Sequence, residues 1–462
     1  MKYFDFNSKV RFIPPYDKTF RPILLSNHVY TESLKQNEAE AVIIALERGK
    51  GLISRHETKV FSKKYDKDNE IYIERLLKTL LWIKGGFRVH VCGPKYIVDF
   101  LKNAYCIGGS REFDALFMQR IYGEPFEVRY QQLKDMPKQV ENPKQIGRNL
   151  DGYRIGFDAG GSDRKVSAVV DGQTVYSEEV VWHPKASEDP QYQYDGIMDS
   201  MKNAAAKLPR VDAIGISAAG VYIDNEVKAA SLFMKVPDDL FESKVKHIFF
   251  DIAKQMGDVP FEVANDGDVT ALAGAMSLNE TGVLGIAMGT SEAGGYVDTK
   301  GYITGWLNEL AFAPVDYNPD AMKDEWSGDI GCGVKYFSQD GVIKLAKNAG
   351  VVFDEDLSPA EKLKVVQKMM IEGSEIAKNI YISIGYYLGY TLAYYAQFYD
   401  IKHVLLLGRV TSGQGGDIIV EKAIDVIREE FPRLNKRIKI SMPDEKARRV
   451  GQSVAAASLP RF

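Results

Sequence analysis

Cysteine is nearly absent from this 462-residue chain: Cys92, Cys106 and Cys332 stand far apart, with no paired spacing. That excludes a disulfide scaffold and a zinc ribbon, and it suits a reducing, cytoplasmic compartment. Neither sign of charge is in excess, the formal net charge being −4. A protein built mainly to hold nucleic acid is basic, so no nucleic-acid partner is expected. The opening residues MKYFDFNSKVRF hold no apolar signal core. No long hydrophobic run is free of polar groups either. The uncharged stretch Ile380–Tyr399 carries seven tyrosines with Ser383, Thr391 and Gln397. It reads as a buried helix of a large domain rather than a membrane span, with Gly385 and Gly389 marking close helix packing. His183, His247 and His403 lack metal-type spacing and read as structural or surface residues.

What is present is ordinary soluble-protein composition, 45% hydrophobic and 26% charged, long enough for two to four domains. Residues 1–145 read as a separate α/β unit of unknown role. Asn37–Arg48 is predicted helical up to Gly49, and Asn69–Lys84 is an amphipathic helix stopped by Gly85-Gly86. Phe87–Cys92 alternates like a strand, Gly93-Pro94 opens a helix to Tyr105, and a helix over Glu112–Tyr122 precedes a strand at Phe126–Tyr130. A polar run with Pro137 and Pro143 reads as a linker.

From residue 150 the pattern changes. Arg154–Phe157 delivers Asp158, then Gly160-Gly161, then Lys165 and an apolar run to Val170; Asp171-Gly172 and a third strand, Thr174–Val181, follow. Strand, glycine turn, strand, Asp-Gly turn, strand is a β-meander. The glycines lead into a strand and not a helix, which excludes a Rossmann unit and a P-loop. A carboxylate beside a Gly-Gly turn suits a metal–triphosphate; the stretch alone fits an ordinary hairpin equally well. Helices are predicted over Tyr194–Lys207 and Ser243–Met256, and strands over Val211–Ser217, which runs into Gly220, and Pro260–Ala264. That last strand delivers Asn265-Asp266-Gly267-Asp268 and a small-residue helix, Val269–Met276. Then the motif returns: strand Gly282–Ala287, turn Met288-Gly289-Thr290-Ser291, strand Gly294–Asp298. An echoed hairpin predicts two similar lobes sharing one nucleotide. His403–Leu407 is a buried strand ending at Gly408, followed by a helix over Asp417–Phe431.

In that order, DAGGSDRK (158–165), VANDGDVTALAGAM (263–276), GIAMGTSEAGG (285–295), IGYYLGYTLAYYAQFYDIKHVLLLG (384–408) and RRVGQSVAAASL (448–459) resemble the ROK family of sugar kinases and repressors, within the actin/hexokinase/Hsp70-type ATPase superfamily. The resemblance implies an α/β fold with two ribonuclease-H-like lobes, 150–275 and 276–445, and a terminal helix, 446–462, returning to the first. It departs from the family at defined places. The family's Glu and later His become Glu309 and Phe312. Of its zinc cysteines only Cys332 remains, with Glu325 and Ser327 where two others would fall, and Val334 replaces a Glu. One thiolate cannot make a tetrahedral zinc site, so no zinc is expected.

The resemblance implies an ATP-dependent sugar kinase or, alternatively, a non-catalytic sugar-sensing regulator; homodimers are common in the family. Phosphoryl transfer needs a cradle, a metal and an oriented hydroxyl. Gly160, Gly161, Ser162, Gly289, Thr290 and Ser291 are expected to hold the phosphates, with Lys165 reaching them and Gly408 marking the adenosine side. Asp158 would carry Mg²⁺ through water. Asp266 is the expected general base, and Asn265, Glu309 and Gly220 the expected sugar contacts. Asp266 or Asp268 would otherwise cap the following helix, the more expected role for Asp268.

Overall fold

The computed structural model describes residues 10–35, 37–62, 66–141, 145–443 and 445–462. Most of the opening stretch discussed above, and Pro143 of the expected linker, lie outside them. Within them the chain is α/β, with two ribonuclease-H-like lobes behind an N-terminal α/β unit.

The N-terminal unit contains α1 (Ile23–Leu34), β1 (Ala39–Glu47), β2 (Ile53–Phe61), α2 (Asp66–Lys84), β3 (Arg88–Cys92), α3 (Lys95–Ala104), α4 (Glu112–Tyr122) and β4 (Glu127–Tyr130). Its sheet has the order β2-β1-β3-β4. The predicted helix over Asn37–Arg48 is instead the strand β1, in the interior of this sheet. Its run Ala41-Val42-Ile43-Ile44-Ala45-Leu46 is apolar on both sides, and periodicity cannot separate a doubly buried strand from a buried helix. Ile44 and Leu46 enter the main core, whereas Ile43 and Ala45 pack with Ile53 and Met136 on the other face. The adjacent β-branched Val42, Ile43 and Ile44 suit a pleated surface better than a helix.

The first lobe is built on the meander β5 (Tyr153–Ala159), β6 (Asp163–Val170) and β7 (Gln173–Val181). It continues through α5 (Pro190–Ala205), β8 (Ala213–Ala218), the hairpin β9 (Val221–Ile223) and β10 (Glu226–Ala229), α6 (Ile248–Gln255), β11 (Phe261–Asn265) and α7 (Asp266–Ser277). A π-helical turn, Phe241–Val245, takes up the front of the long helix expected from Ser243. The sheet order is β11-β8-β5-β6-β7, parallel across β11, β8 and β5.

The second lobe repeats the hairpin as β12 (Val283–Met288) and β13 (Glu292–Val297), then runs through α8 (Gln339–Asn348), α9 (Pro359–Ile371), α10 (Glu375–Tyr395), β14 (His403–Leu407), α11 (Gln414–Glu430) and β15 (Lys439–Ser441). The sheet order is β13-β12-β14-β15. The tyrosine-rich segment is α10, with Tyr381, Tyr387, Tyr390, Tyr394 and Tyr395 buried. No described helix is long and apolar enough to cross a membrane. The last helix, α12 (Glu445–Ala457), packs on β5 and β8 in the first lobe. It approaches so closely that a Cβ on Gly156 or Gly215 would collide with the carbonyl oxygens of Ser453 and Ala456.

One hydrophobic core runs through both the N-terminal unit and the second lobe. Phe20 packs edge-on against Tyr387 at 4.5 Å, and Thr79 Oγ1 shares a hydrogen bond with Tyr394 Oη at 2.8 Å. At the centre of this contact α2 and α4 meet the loop 324–332. Arg75 grips Asp329 with two hydrogen bonds, 2.6 and 3.1 Å. Lys78, wholly buried, donates to Asp114 at 2.8 Å and lies 3.3 Å from Asp329. Arg111 pairs with Glu74 and, at 2.8 Å, with Asp329. The set therefore balances three cations against three anions. The flanking cations outweigh burial and hold the Asp329 carboxyl well below the usual carboxylate range. Breaking a buried pair by removing one partner costs about 3–5 kcal/mol. Asp329→Ala, which leaves three buried cations facing only Glu74 and Asp114, is expected to lower the unfolding free energy by that much in urea melts; a loss below ~1 kcal/mol would show that the network does not hold the two parts together.

Candidate active site in the interlobe cleft

In open α/β sheets ligands gather at the carboxyl ends of parallel strands, and the chemically distinctive residues lie there in both lobes. In the first sheet Ala159 at the end of β5 is in register with Ala218 of β8, and Ala218 with Asn265 of β11. In the second, Ala287 of β12 is in register with Leu407 of β14. Asp158, Gly220, Asn265-Asp266, Gly289 and Gly408 sit at or just beyond these ends.

Asp158, 7% exposed, accepts hydrogen bonds on Oδ1 from Ser217 Oγ at 2.7 Å and from Gln452 Nε2 of α12 at 3.2 Å. Burial raises its pKa to about 6, Ser217 opposes the rise and the nearby Asp266 adds to it. Lys165 lies opposite Asp158 in the β5–β6 register, and its ammonium pairs with Asp163 at 2.9 Å. The first glycine turn is pinned by the buried Trp182, whose Nε1 donates to Gly160 O and whose backbone N–H donates to Ser162 O. Gly161 and Ser162 are exposed.

Lys185, which the sequence reading passed over, leans on this turn. A Cβ on Gly161 would lie 3.1 Å from its Nζ. Lys185 is also the charged group that pulls the Asp266 pKa down against burial. Its only sequence signal was its place just after the meander, in Trp182-His183-Pro184-Lys185.

In the second turn Gly289 N–H donates to Ser291 O at 2.9 Å. Thr290 and Ser291 are exposed. Gly289 O accepts from Gln339 N–H, the first residue of α8, at 2.9 Å. Gly408, at φ 95°, brings the end of β14 against the backbone of Met288, where any Cβ would collide.

The helix expected from Val269 starts three residues earlier. Asn265 caps α7, its Oδ1 accepting from Gly267 N–H at 2.7 Å while its Nδ2 donates to Gly220 O at 2.8 Å. Neither Asp266 nor Asp268 is therefore the cap. Asp266 is the first helical residue, and its carboxylate is raised by burial. Asp268 is buried, accepting from Tyr296 N–H at 3.0 Å and Asn308 Nδ2 at 2.9 Å, and burial pushes its pKa up to about 7. The first turn of α7 can lie flat on β13 only because Gly267 meets Gly294 and Gly295, where no Cβ would fit.

Glu309 is placed by the N-terminal unit. The last carbonyls of a helix lack intrahelical partners; here Ile83 O and Trp82 O of α2 accept from Asn308 N–H and Glu309 N–H at 3.1 and 3.0 Å. Burial, then Asp266 and Asp268, raise Glu309 to about 7. Phe312 packs on Trp82 at 4.4 Å and also against Phe113 and Phe117. In the loop that resembles the family's zinc segment, Ser327 Oγ donates to Asp324, Glu325 pairs with Lys335, and Cys332 is buried beside Asp329 with its thiol pushed up to about 12. Among the described residues no group of three or more His, Cys, Asp or Glu is placed to hold a metal ion.

No protein-family model matches this chain, and neither does any curated protein. Solved structures do. A ROK hexokinase from Thermus thermophilus superposes with a TM-score of 0.52 at 17% identity, covering 66% of this chain and 97% of that one. A ROK family transcriptional regulator, homolog of the E. coli MLC protein, superposes with a TM-score of 0.53 at 19% identity, covering 67% and 79%. These likenesses establish the fold.

Glu292, directly after the second turn, is a further buried acid. It is 3% exposed and lies against Gly333, and neither carboxyl oxygen has a partner among the described residues. Burial, then Glu309, raises its pKa to about 8. An acid with a raised folded pKa binds its proton more tightly in the native state, so its stabilising effect is complete below about pH 4 and is lost as pH rises through about 8. Glu292→Gln is accordingly expected to match the wild type in unfolding free energy near pH 4, to exceed it increasingly as pH rises to about 8, and to exceed it by about 3–5 kcal/mol at pH 9; a difference that does not change with pH would contradict the buried environment.

Proposed function

From a chain that carries the fold of ROK kinases and regulators over two-thirds of its length, we propose an ATP-dependent sugar kinase, moving the γ-phosphoryl group to a hydroxyl of a hexose or hexose derivative. The observation that carries the proposal is the placement of Asp158 and Asp266 at the ends of β5 and β11, the two parallel strands on either side of β8, close enough for Asp266 to raise the Asp158 pKa, beside an exposed glycine turn.

Asp266 accepts the acceptor hydroxyl's proton as the new P–O bond forms. A sugar hydroxyl is too weak an acid to be ionised beforehand by a carboxylate, so the gain comes mainly from position. The cap on Asn265 and the glycine packing under α7 supply that position. Asn265, Gly220 and Glu309 contact the sugar, and buried polar partners of this kind discriminate between hydroxyl patterns. Gly160, Gly161 and Ser162 on one side and Thr290 and Ser291 on the other cradle the phosphates, with Lys165 and Lys185 as the nearby cations. Gly408 opens the turn for the adenosine. Both hydrogen bonds to Asp158 fall on Oδ1, which leaves Oδ2 for a hydrated cation. Asp158 would hold a hydrated Mg²⁺ there, and the chemistry so supplied would be neutralisation of phosphate charge.

Loss of the family His at Phe312 supports a second reading, a sugar-sensing regulator without turnover. A coupled ATP-consumption screen over hexoses and hexose derivatives separates the two. With a turned-over sugar, Asp266→Asn is expected to lower kcat by about 10²–10⁴, and Lys185→Ala to raise KM for ATP. Wild-type turnover in Asp266→Asn would remove it as the base. If no sugar is turned over but one raises Tm, the regulator reading stands.

A further inference from the structure

A cavity of about 490 Å³ opens where the first lobe faces the N-terminal unit. Its wall includes Gly220 and Asn265, two of the expected acceptor contacts. The same wall carries aliphatic side chains from both sides, Leu52 and Val140 of the N-terminal unit and Val221 and Ile223 of β9. These four belong to none of the hydrophobic cores formed by the described residues. Successive side chains of an extended chain turn to opposite faces, which fixes where they point. In β9, Tyr222 turns into the first-lobe core, its ring 6.0 Å from Phe249. Val221 and Ile223 therefore project from the other face. On the opposite wall Ile53 packs with Ile43, Ala45 and Met136, which turns the extended Leu52 away from them and to the cavity.

The charged groups of the wall are already engaged. Arg48 pairs with Glu141 and Lys50 with Asp224, each at 2.5 Å. Asp268 accepts from Tyr296 N–H and Asn308, and Glu262 has partners of its own. Burying a charge without a partner is expensive, so the cavity suits an uncharged ligand. A hexose ring by itself offers the wrong surface for the aliphatic part of the wall. It bears a hydroxyl on nearly every carbon, and a hydroxyl set against hydrocarbon loses its water without gaining a partner. Four aliphatic side chains outside any core instead gain from covering a hydrocarbon group, one attached to the sugar that Asn265 and Gly220 adjoin.

Building on the kinase reading, we infer that the acceptor is an uncharged hexose glycoside whose apolar aglycone fills this cavity, with Leu52, Val140, Val221 and Ile223 as the specificity-determining contacts. The aglycone occupies the anomeric oxygen, so the transfer goes to one of the remaining hydroxyls. That oxygen bonds to the γ-phosphorus, its proton passes to Asp266, and the bond from the γ-phosphorus to ADP breaks. The N-terminal unit thus reads the part of the substrate that does not react.

Thermal shift on the full chain tests this with the methyl and phenyl glycosides of glucose, galactose and mannose, both anomers of each, and phenol as the sugar-free control. At least one phenyl glycoside is expected to bind tenfold or more tightly than its methyl counterpart and than phenol. Leu52→Ala/Ile223→Ala should cut the phenyl-to-methyl ratio to threefold or less. The single variants Leu52→Ala and Ile223→Ala, each expected to reduce it in part, carry the test if the double variant does not melt cooperatively. Equal affinity for methyl and phenyl glycosides overturns the inference. So does a phenyl preference that survives in the variants, phenol binding as tightly as the phenyl glycoside, or no stabilisation by any glycoside. ATP consumption is read alongside. A phenyl glycoside that binds as expected without turnover sinks the kinase reading and leaves the aglycone assignment standing, whereas turnover of free sugars with no phenyl preference does the reverse.

Discussion

The docking of α2 onto the second lobe is the constraint from which the rest of the arrangement follows. Midway along this helix, Arg75 and Lys78 hold the loop ending at Cys332 through Asp329. A turn later, Trp82 covers Phe312, and the carbonyls at its end fix the backbone of Asn308 and Glu309. Buried ion sets of this kind seldom add net stability over a well-packed apolar alternative, but they tolerate little displacement because each charge left alone is expensive. Register is what such a set supplies. It defines where the loop stands relative to the helix, and the helix end then defines where Glu309 stands relative to Asp266 and Asp268.

The cleft itself concentrates acids that do not share one state at neutral pH. Asp158 at about 6, Asp268 and Glu309 near 7 and Glu292 near 8 are all raised chiefly by burial. Their environments nonetheless separate them. Asp158 has a hydroxyl and an amide to stabilise its charge, Asp268 a backbone N–H and Asn308, and Glu292 nothing among the described residues. Lys185, exposed beside the first glycine turn, adds a positive charge that acts on Asp266.

Much of this was legible in the residues and some was not, for physical reasons. The meander, its echo, and the strands delivering Asp158, Asp266 and Gly408 announce themselves because half-buried or parallel strands and glycine turns have local signatures. The strand at Ala39–Glu47 was misread because a strand apolar on both faces has no period. Asp268 was misassigned as a cap because Asn265, two residues before Gly267, took that role and started the helix early. Lys185 carries no motif. Its significance lies in what stands opposite it, Gly161, and such a pairing across the fold leaves no trace along the chain.

The continuity of the core has a consequence for modularity. By outline, two-thirds of this molecule matches the whole of a smaller protein, which suggests a complete enzyme with an accessory attached. The buried faces say otherwise. Without residues 10–141, Phe312, Tyr336, Tyr387 and Tyr394 would lose their cover and Asp329 its cations. A contiguous aromatic patch of that sort on a soluble surface invites self-association. The two-lobed remainder would be prone to self-association. The N-terminal unit is therefore structurally part of the second lobe's core and not a detachable accessory.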